Sequence, residues 1–273
     1  MPVANLGTVE MYYELDDYTD PWRPSETVVL LHGMGKSSRL WYAWPPHLAS
    51  NYRVVRPDAR GFGKSSVPPP GYPWSLSNFA RDVRDLIDHL GLEKIHLVGE
   101  TVGGAISLQF AYEYPERLLS LTLSGAPYTL ASAEEQQHFA DERKQIREEG
   151  VAAWARFSSP RRFGNRPEYQ DLARWYASEM GKSSRRIMLE LFEVVPTINL
   201  TAELPAIQVP TLILAGHESV IAPLDKVRQM QRLLPNARLV TIPNAPNQVH
   251  AVMAEECVKQ WLKFVNELKP NTP

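Results

Sequence analysis

The stretch His96-Leu97-Val98-Gly99-Glu100-Thr101-Val102-Gly103-Gly104 decides how the chain is read. An apolar run ends on glycine, a turn follows, and small residues then open a helix. Gly99 and Gly103 stand where so sharp a turn leaves no room for a Cβ, and Gly104 lets the helix lie close to the strand. The spacing is that of Gly-x-Ser-x-Gly, the strand-to-helix turn that exposes a nucleophile at its tip. Here the tip residue is Thr101, not serine.

Working outward, Ile95–Val98 reads as a buried strand, preceded by a helix in which Leu76, Phe79, Ala80, Val83, Leu86, Ile87 and Leu90 recur at helical spacing and Gly91 closes the end. Further back, Thr27–Leu31 is a short continuous apolar run, as in a strand buried on both faces. Tyr52–Asp58 is another strand, 8–14 alternates like an edge strand, and 39–50 is expected as one helix bent at Pro45-Pro46. After the turn come a helix to about Tyr114 and the strand Leu118–Leu123. Strands alternating with helices imply a parallel sheet with right-handed crossovers. The alternation breaks after Pro127. Helices are expected at Ser132–Glu149, Val151–Phe157, Pro167–Met180 and Ser183–Val194, and the strand–helix pattern resumes at Pro210–Gly216. A helix over Leu224–Leu234, a strand over Arg238–Ile242 and a last helix burying Val258, Trp261, Leu262, Val265 and Leu268 complete the chain. The division is therefore a core of 1–127 and 201–273 with a helical lid, 128–200, inserted in it.

Composition narrows the function classes. The chain has 273 residues, 44% hydrophobic and 22% charged, with a net charge of −2. That balance offers no electrostatic footprint for nucleic acid. One cysteine, Cys257, excludes an internal disulfide and a cysteine-based zinc site, and its expected place is the buried face of the last helix. No ligand cluster or phosphate-cradling loop suggests a metal or cofactor. With no signal-like N-terminus and no apolar run of membrane-spanning length, the expectation is a cytoplasmic protein without membrane association. Oligomeric state is left open, a homodimer included.

His32-Gly33, Asp58-x-Arg60-Gly61-x-Gly63-x-Ser65, Gly99-x-Thr101-x-Gly103-Gly104 and Pro210-Thr211-Leu212-x-Leu214-Ala215-Gly216 occur in this order over nearly the whole chain. In this it resembles the α/β-hydrolase fold family, and within it the lidded lactonases, esterases and carbon–carbon bond hydrolases. The resemblance implies a mostly parallel eight-stranded sheet with helices on both faces. It also implies a serine, an acid and a histidine in that chain order. The serine position is Thr101, the acid position, three residues after Gly216, is Ser219, and the histidine position is Asn247. A β-branched residue at a tip held at φ > 0 is strained. Serine cannot offset an imidazolium, and asparagine cannot accept a proton at neutral pH. The resemblance further implies an oxyanion hole made from the Met34 and Val102 amides, which owes nothing to side-chain identity.

Other candidates surround these positions. His250, three residues past Asn247, and Glu218, beside Ser219, are candidates for a rebuilt Thr101–His250–Glu218 triad, against a structural histidine and a solvated glutamate. His32 reads as a pin for the oxyanion loop; Glu100 and His217 flank the site. Asp58 and Arg60 are expected to pair with each other. Aromatics such as Trp41, Trp44, Trp154, Phe157, Trp175, Tyr176 and Phe192 either line a pocket or pack. Arg161-Arg162 and Arg185-Arg186 are candidates for holding a substrate carboxylate, against a solvated face. Three functions follow. The first is cofactor-free, non-hydrolytic or atypical chemistry on a small carbonyl compound: a lyase, isomerase, cyclase or decarboxylase, or direct water attack. The second is an ester, lactone or carbon–carbon bond hydrolase using the rearranged triad. The third is a ligand-binding protein without turnover. The expected partner is a small carbonyl-bearing molecule, apolar or aromatic.

Overall fold

Val28 and Leu30 pack on one face of the central sheet, Val29 and Leu31 on the other. Val98, Leu212 and Leu214 join the first set, and Leu97 and Ile213 the second. The two-residue period of a strand thus splits each apolar run between two cores, and each of the three runs is buried along its whole length.

The computed structural model describes residues 2–130 and 132–269; the last residues of the expected core, 270–273, lie outside them. In chain order the strands are β1 (Val3–Asn5), β2 (Glu10–Asp16), β3 (Thr27–Leu31), β4 (Arg53–Pro57), β5 (Ile95–Glu100), β6 (Leu118–Ser124), β7 (Thr211–Gly216) and β8 (Ala237–Ile242). They form one sheet in the order β1-β2-β4-β3-β5-β6-β7-β8. The pairs β1–β2 and β2–β4 are antiparallel and the rest parallel. The expected edge strand is displaced by two residues and gains β1 beside it.

The helices are α1 (Pro45–Leu48), α2 (Leu76–His89), α3 (Val102–Glu113), α4 (Ala133–Glu149), α5 (Val151–Phe157), α6 (Ser159–Phe163), α7 (Gln170–Met180), α8 (Arg185–Val194), α9 (Leu224–Leu233), α10 (Val249–Val252) and α11 (Ala254–Leu268). Buried residues of α2, α3 and α9 share the core of Val29; Trp44, Leu48, Cys257 and Trp261 share that of Val28. Cys257 is fully buried on α11, as expected, and its thiol is pushed up to about 12 by burial. The single bent helix expected over 39–50 is instead a 3-10 turn, Ser38–Trp41, followed by α1. Neither Pro45 nor Pro46 has an amide to continue a helix begun before it.

Helices α4–α8 lie between β6 and β7. Leu130 N donates to Ile198 O (3.0 Å) and Leu200 N to Tyr128 O (2.8 Å), so the chain leaves and rejoins the sheet side by side. Ser132 starts α4 with a capping box: its hydroxyl takes the Glu135 amide, and Glu135 takes the Ser132 amide. The sequence pattern missed α6, five residues starting at Ser159-Pro160.

Candidate active site

β5 delivers Thr101 at φ 48°, ψ −123°, directly ahead of α3. Among the described residues Asn244 is the other non-glycine at positive φ. A β-branched residue there costs roughly 1–3 kcal/mol. Glycines make the turn possible: a Cβ on Gly103 would overlap the Leu31 and His32 carbonyls, and one on Gly99 the Gly103 carbonyl and Ser107 Oγ. Thr101 N donates to Ser124 O (3.0 Å), tying the turn to β6.

Facing it is the loop after β3. Ala59 N donates to His32 Nε2 (2.9 Å), so His32 carries its proton on Nδ1 and donates it to Gly33 O (2.7 Å). Both ring nitrogens are spent on backbone, which is the pinning role expected of His32. Burial also pushes its pKa down, keeping the ring neutral. Gly33 lies against Thr101; a Cβ on it would overlap Thr101 Oγ1.

Glu100 points beneath this loop. It accepts the Gly33 amide on one oxygen and Lys36 Nζ on the other (2.6 Å), while Lys36 Nζ also donates to Gln248 Oε1 (3.0 Å). All three side chains are buried. Burial pulls the Glu100 pKa up, but the Lys36 ammonium, His250 and the Gly33 amide outweigh it and bring it down to about 2. The pair is therefore ionised. Lys36 and Gln248 were not anticipated. Their partners lie 64 and 212 positions away, and no local pattern encodes such pairing.

The Met34 and Val102 amides have no hydrogen-bond partner among the described residues. Both residues line a cavity of about 730 Å³, together with Thr101, Lys36 and Gln248 and with residues of the insertion such as Trp154 and Arg162. A much smaller apolar cavity also borders Met34 and Val102, walled by Phe62, Leu76, Phe79, Ile106 and Leu191 among others.

The remaining candidates fall into separate places. Ser219 and Asn247 meet, with the serine hydroxyl donating to Asn247 Oδ1 (2.7 Å). His250 is enclosed: Nδ1 faces Ser124 Oγ at 3.5 Å, Nε2 faces Tyr176 OH at 3.3 Å, and the ring lies 4.7 Å from Trp41. Desolvation lowers its pKa to about 4, with Glu100 opposing and Lys36 assisting. Glu218 is exposed and pairs with Arg166 (2.7 Å), not with His250. The rebuilt relay fails here because Glu218 sits on the outside of its loop, while Ser219 takes the buried side. His217 is exposed as well.

Asp58 and Arg60 do not pair with each other. Asp58 accepts the amides of Ser38 (2.6 Å) and Lys64 (2.8 Å), and Arg60 pairs with Asp82 on α2 (2.5 Å). Asp58 is turned inward to cap loop amides, which a neighbouring guanidinium cannot replace. Of the candidate aromatics, Trp154 lines the large cavity, Trp41, Trp44, Tyr176 and Phe192 are core, and Phe157 is exposed. Arg161 and Arg162 line the cavity; Arg186 instead pairs with Glu190 (2.9 Å).

Comparison with known proteins bears on the fold. The model of the alpha/beta hydrolase fold family matches residues 26–250. A protein of Stutzerimonas stutzeri (strain A1501), named "Putative carbamate hydrolase RutD", is 29% identical over 245 residues, 85% of this chain and 88% of that one. A 2-hydroxy-6-oxo-6-phenylhexa-2,4-dienoate hydrolase of Burkholderia cepacia is 43% identical over 104 residues, which span 37% of this chain and 36% of the relative. Among solved structures, the enol-lactonase of Burkholderia xenovorans LB400 superposes with a TM-score of 0.88 at 22% identity, over 97% of this chain and 100% of that one. The order of the strands, the glycine-built turn after β5 and the matched length agree: the chain belongs to the alpha/beta hydrolase fold family.

Proposed function

We propose that the protein hydrolyses a small carbonyl compound, an ester, lactone or carbamate, by direct attack of water and without an acyl-enzyme on Thr101. One observation carries this reading: the unengaged Met34 and Val102 amides beside the turn, opening on a 730 Å³ cavity. Two unengaged amides beside one cavity support an oxyanion hole there. The N-terminal end of α3 adds its positive dipole. The names borne by the relatives support hydrolysis over lyase or isomerase chemistry. Against an acyl-enzyme stands Thr101 itself: among the described residues no imidazole is hydrogen-bonded to its hydroxyl.

The wall of the large cavity is charged in both senses, with Lys36, Arg161 and Arg162 against Glu134, Asp141 and Glu142. The neighbouring apolar cavity takes no more than a small group. A substrate with a small apolar portion on one side of its carbonyl and a polar portion on the other suits both. This reading adds a polar portion to the expected small carbonyl-bearing molecule, apolar or aromatic. The helical insertion α4–α8 supplies one wall of this space, with Glu134 and Asp141 at its exposed edge.

The test is turnover of 4-nitrophenyl acetate, dihydrocoumarin and phenyl carbamate by the wild-type chain, with intact-mass measurement during turnover and after a fluorophosphonate. Product release with no mass increment on the protein is expected. An acyl or phosphonyl adduct on Thr101 overturns the direct-attack reading, and absence of turnover overturns hydrolysis. The buried, neutral Ser219–Asn247 contact favours a second reading, a binding protein without turnover. Thermal stabilisation by these same compounds with no product would establish that reading instead.

A further inference from the structure

The direct-attack reading needs a base, and neither His32 nor His250 is free to serve. Both nitrogens of His32 are bonded to backbone groups, and those of His250 face Ser124 and Tyr176. The imidazole in the wall of the large cavity is that of His138, on α4. One helical turn on, Glu142 lies in the same wall, its Oε1 3.1 Å from His138 Nε2. The His138 side chain is 31% exposed while its Nε2 is buried, so Nε2 is the ring nitrogen turned toward Glu142. The Nε2 contact is short but not aligned as a hydrogen bond, an arrangement that commonly tightens once substrate is bound.

We propose that His138 is the general base and acid of the reaction and Glu142 its positioning residue, a carboxylate–imidazole pair supplied by the lid rather than by the sheet. This rests on the hydrolytic reading above. Glu142 holds the proton on Nε2, leaving the Nδ1 lone pair for a water in the cavity. Nδ1 takes one proton from that water as its oxygen bonds to the carbonyl carbon. The carbonyl π electrons move to the oxygen held by the Met34 and Val102 amides. Collapse re-forms the C=O bond and breaks the bond to the leaving group, which receives the proton from Nδ1. One water is consumed, and the enzyme returns to its starting state.

The charges acting on His138 come from two elements. Burial lowers its pKa, Glu142 and Asp141 on its own helix raise it, and Arg161 and Arg162 from α6 lower it. A ring held neutral at physiological pH is the form a base requires.

The experiment uses the full-length chain and whichever of the three carbonyl compounds gives the fastest wild-type turnover. His138→Ala and His138→Gln are expected to lower kcat at least ~100-fold with KM changed less than threefold. Glu142→Gln is expected to shift the midpoint of the kcat–pH profile downward while keeping its plateau within tenfold, since it removes a charge that raises the His138 pKa. Wild-type turnover with both His138 variants within threefold of wild type in kcat overturns the proposal and leaves the hydrolytic reading standing. Failure of the wild type to turn over any compound overturns both. Two variants, each checked by circular dichroism, separate loss of the base from loss of fold.

Discussion

Ser219 Oγ donates to Asn247 Oδ1 at 2.7 Å and at the same time accepts the Ala222 amide at 3.0 Å, in a buried and uncharged contact. That contact fixes Asn247 with its oxygen toward Ser219 and leaves its Nδ2 buried without a partner among the described residues. Neither group can carry a proton between a hydroxyl and solvent.

Rebuilding the relay therefore requires all its members together. Thr101→Ser alone is expected to raise 4-nitrophenyl acetate hydrolysis less than tenfold. The triple variant Thr101→Ser, Ser219→Asp, Asn247→His is expected to raise it by about 100-fold or more and to accumulate an acyl adduct visible by intact mass. A large gain from the single change would show that a base already stands behind Thr101.

Gly33 and Thr101 share one space. Gly33→Ala puts a methyl onto Thr101 Oγ1 and within 3.0 Å of Glu100 Oε1, so it should cost about 1–3 kcal/mol and displace the Met34 amide. Thr101→Gly removes both the clash and the positive-φ strain, and by itself should raise stability by about 1 kcal/mol. In urea unfolding the double variant should exceed Gly33→Ala by more than Thr101→Gly alone exceeds the wild type. A gain equal to that of Thr101→Gly alone would place the conflict with Glu100 instead.

Glu100 gives a second handle, acid stability. Its pKa is depressed in the folded protein, to about 2, so its contribution is complete above the unfolded carboxylate value and is lost as pH falls through the folded one. A shift of that size is worth on the order of 3 kcal/mol. Glu100→Gln should flatten the loss of stability between roughly pH 4.5 and 2, while costing about 3–5 kcal/mol at pH 7 by leaving Lys36 buried and unpaired. Urea unfolding across pH checks both effects, and Glu100→Gln with Lys36→Met should cost less than Glu100→Gln alone.

His250 has the opposite chemistry and the same direction of loss. Its folded pKa, about 4, lies below that of a free histidine, so the unfolded chain binds the proton first. Stability present above about pH 6.5 should decline as pH falls toward 4, by roughly 3 kcal/mol in all. His250→Gln should remove that share of the decline and leave the share of the other buried histidines, His32 and His96, whose pKa burial also lowers. An unchanged slope between pH 6.5 and 4 would place the ring in solvent.

The sequence by itself determined the buried strands and the turn at Thr101, because those depend on local periods and on glycines at fixed offsets, while the pinning role of His32 was implied by the resemblance to the fold family. A run such as Thr27–Leu31 is buried on both faces wherever it sits in a parallel sheet, and Gly99 and Gly103 admit the sharp turn whatever surrounds them. Only the tertiary structure decided the partners. Lys36, Glu100 and Gln248 meet from three distant parts of the chain, Glu218 turns outward while Ser219 turns in, and Asp58 prefers two backbone amides to Arg60. Each outcome depends on which polar group is left without water once the chain closes, and that balance is set across the whole fold rather than along the chain.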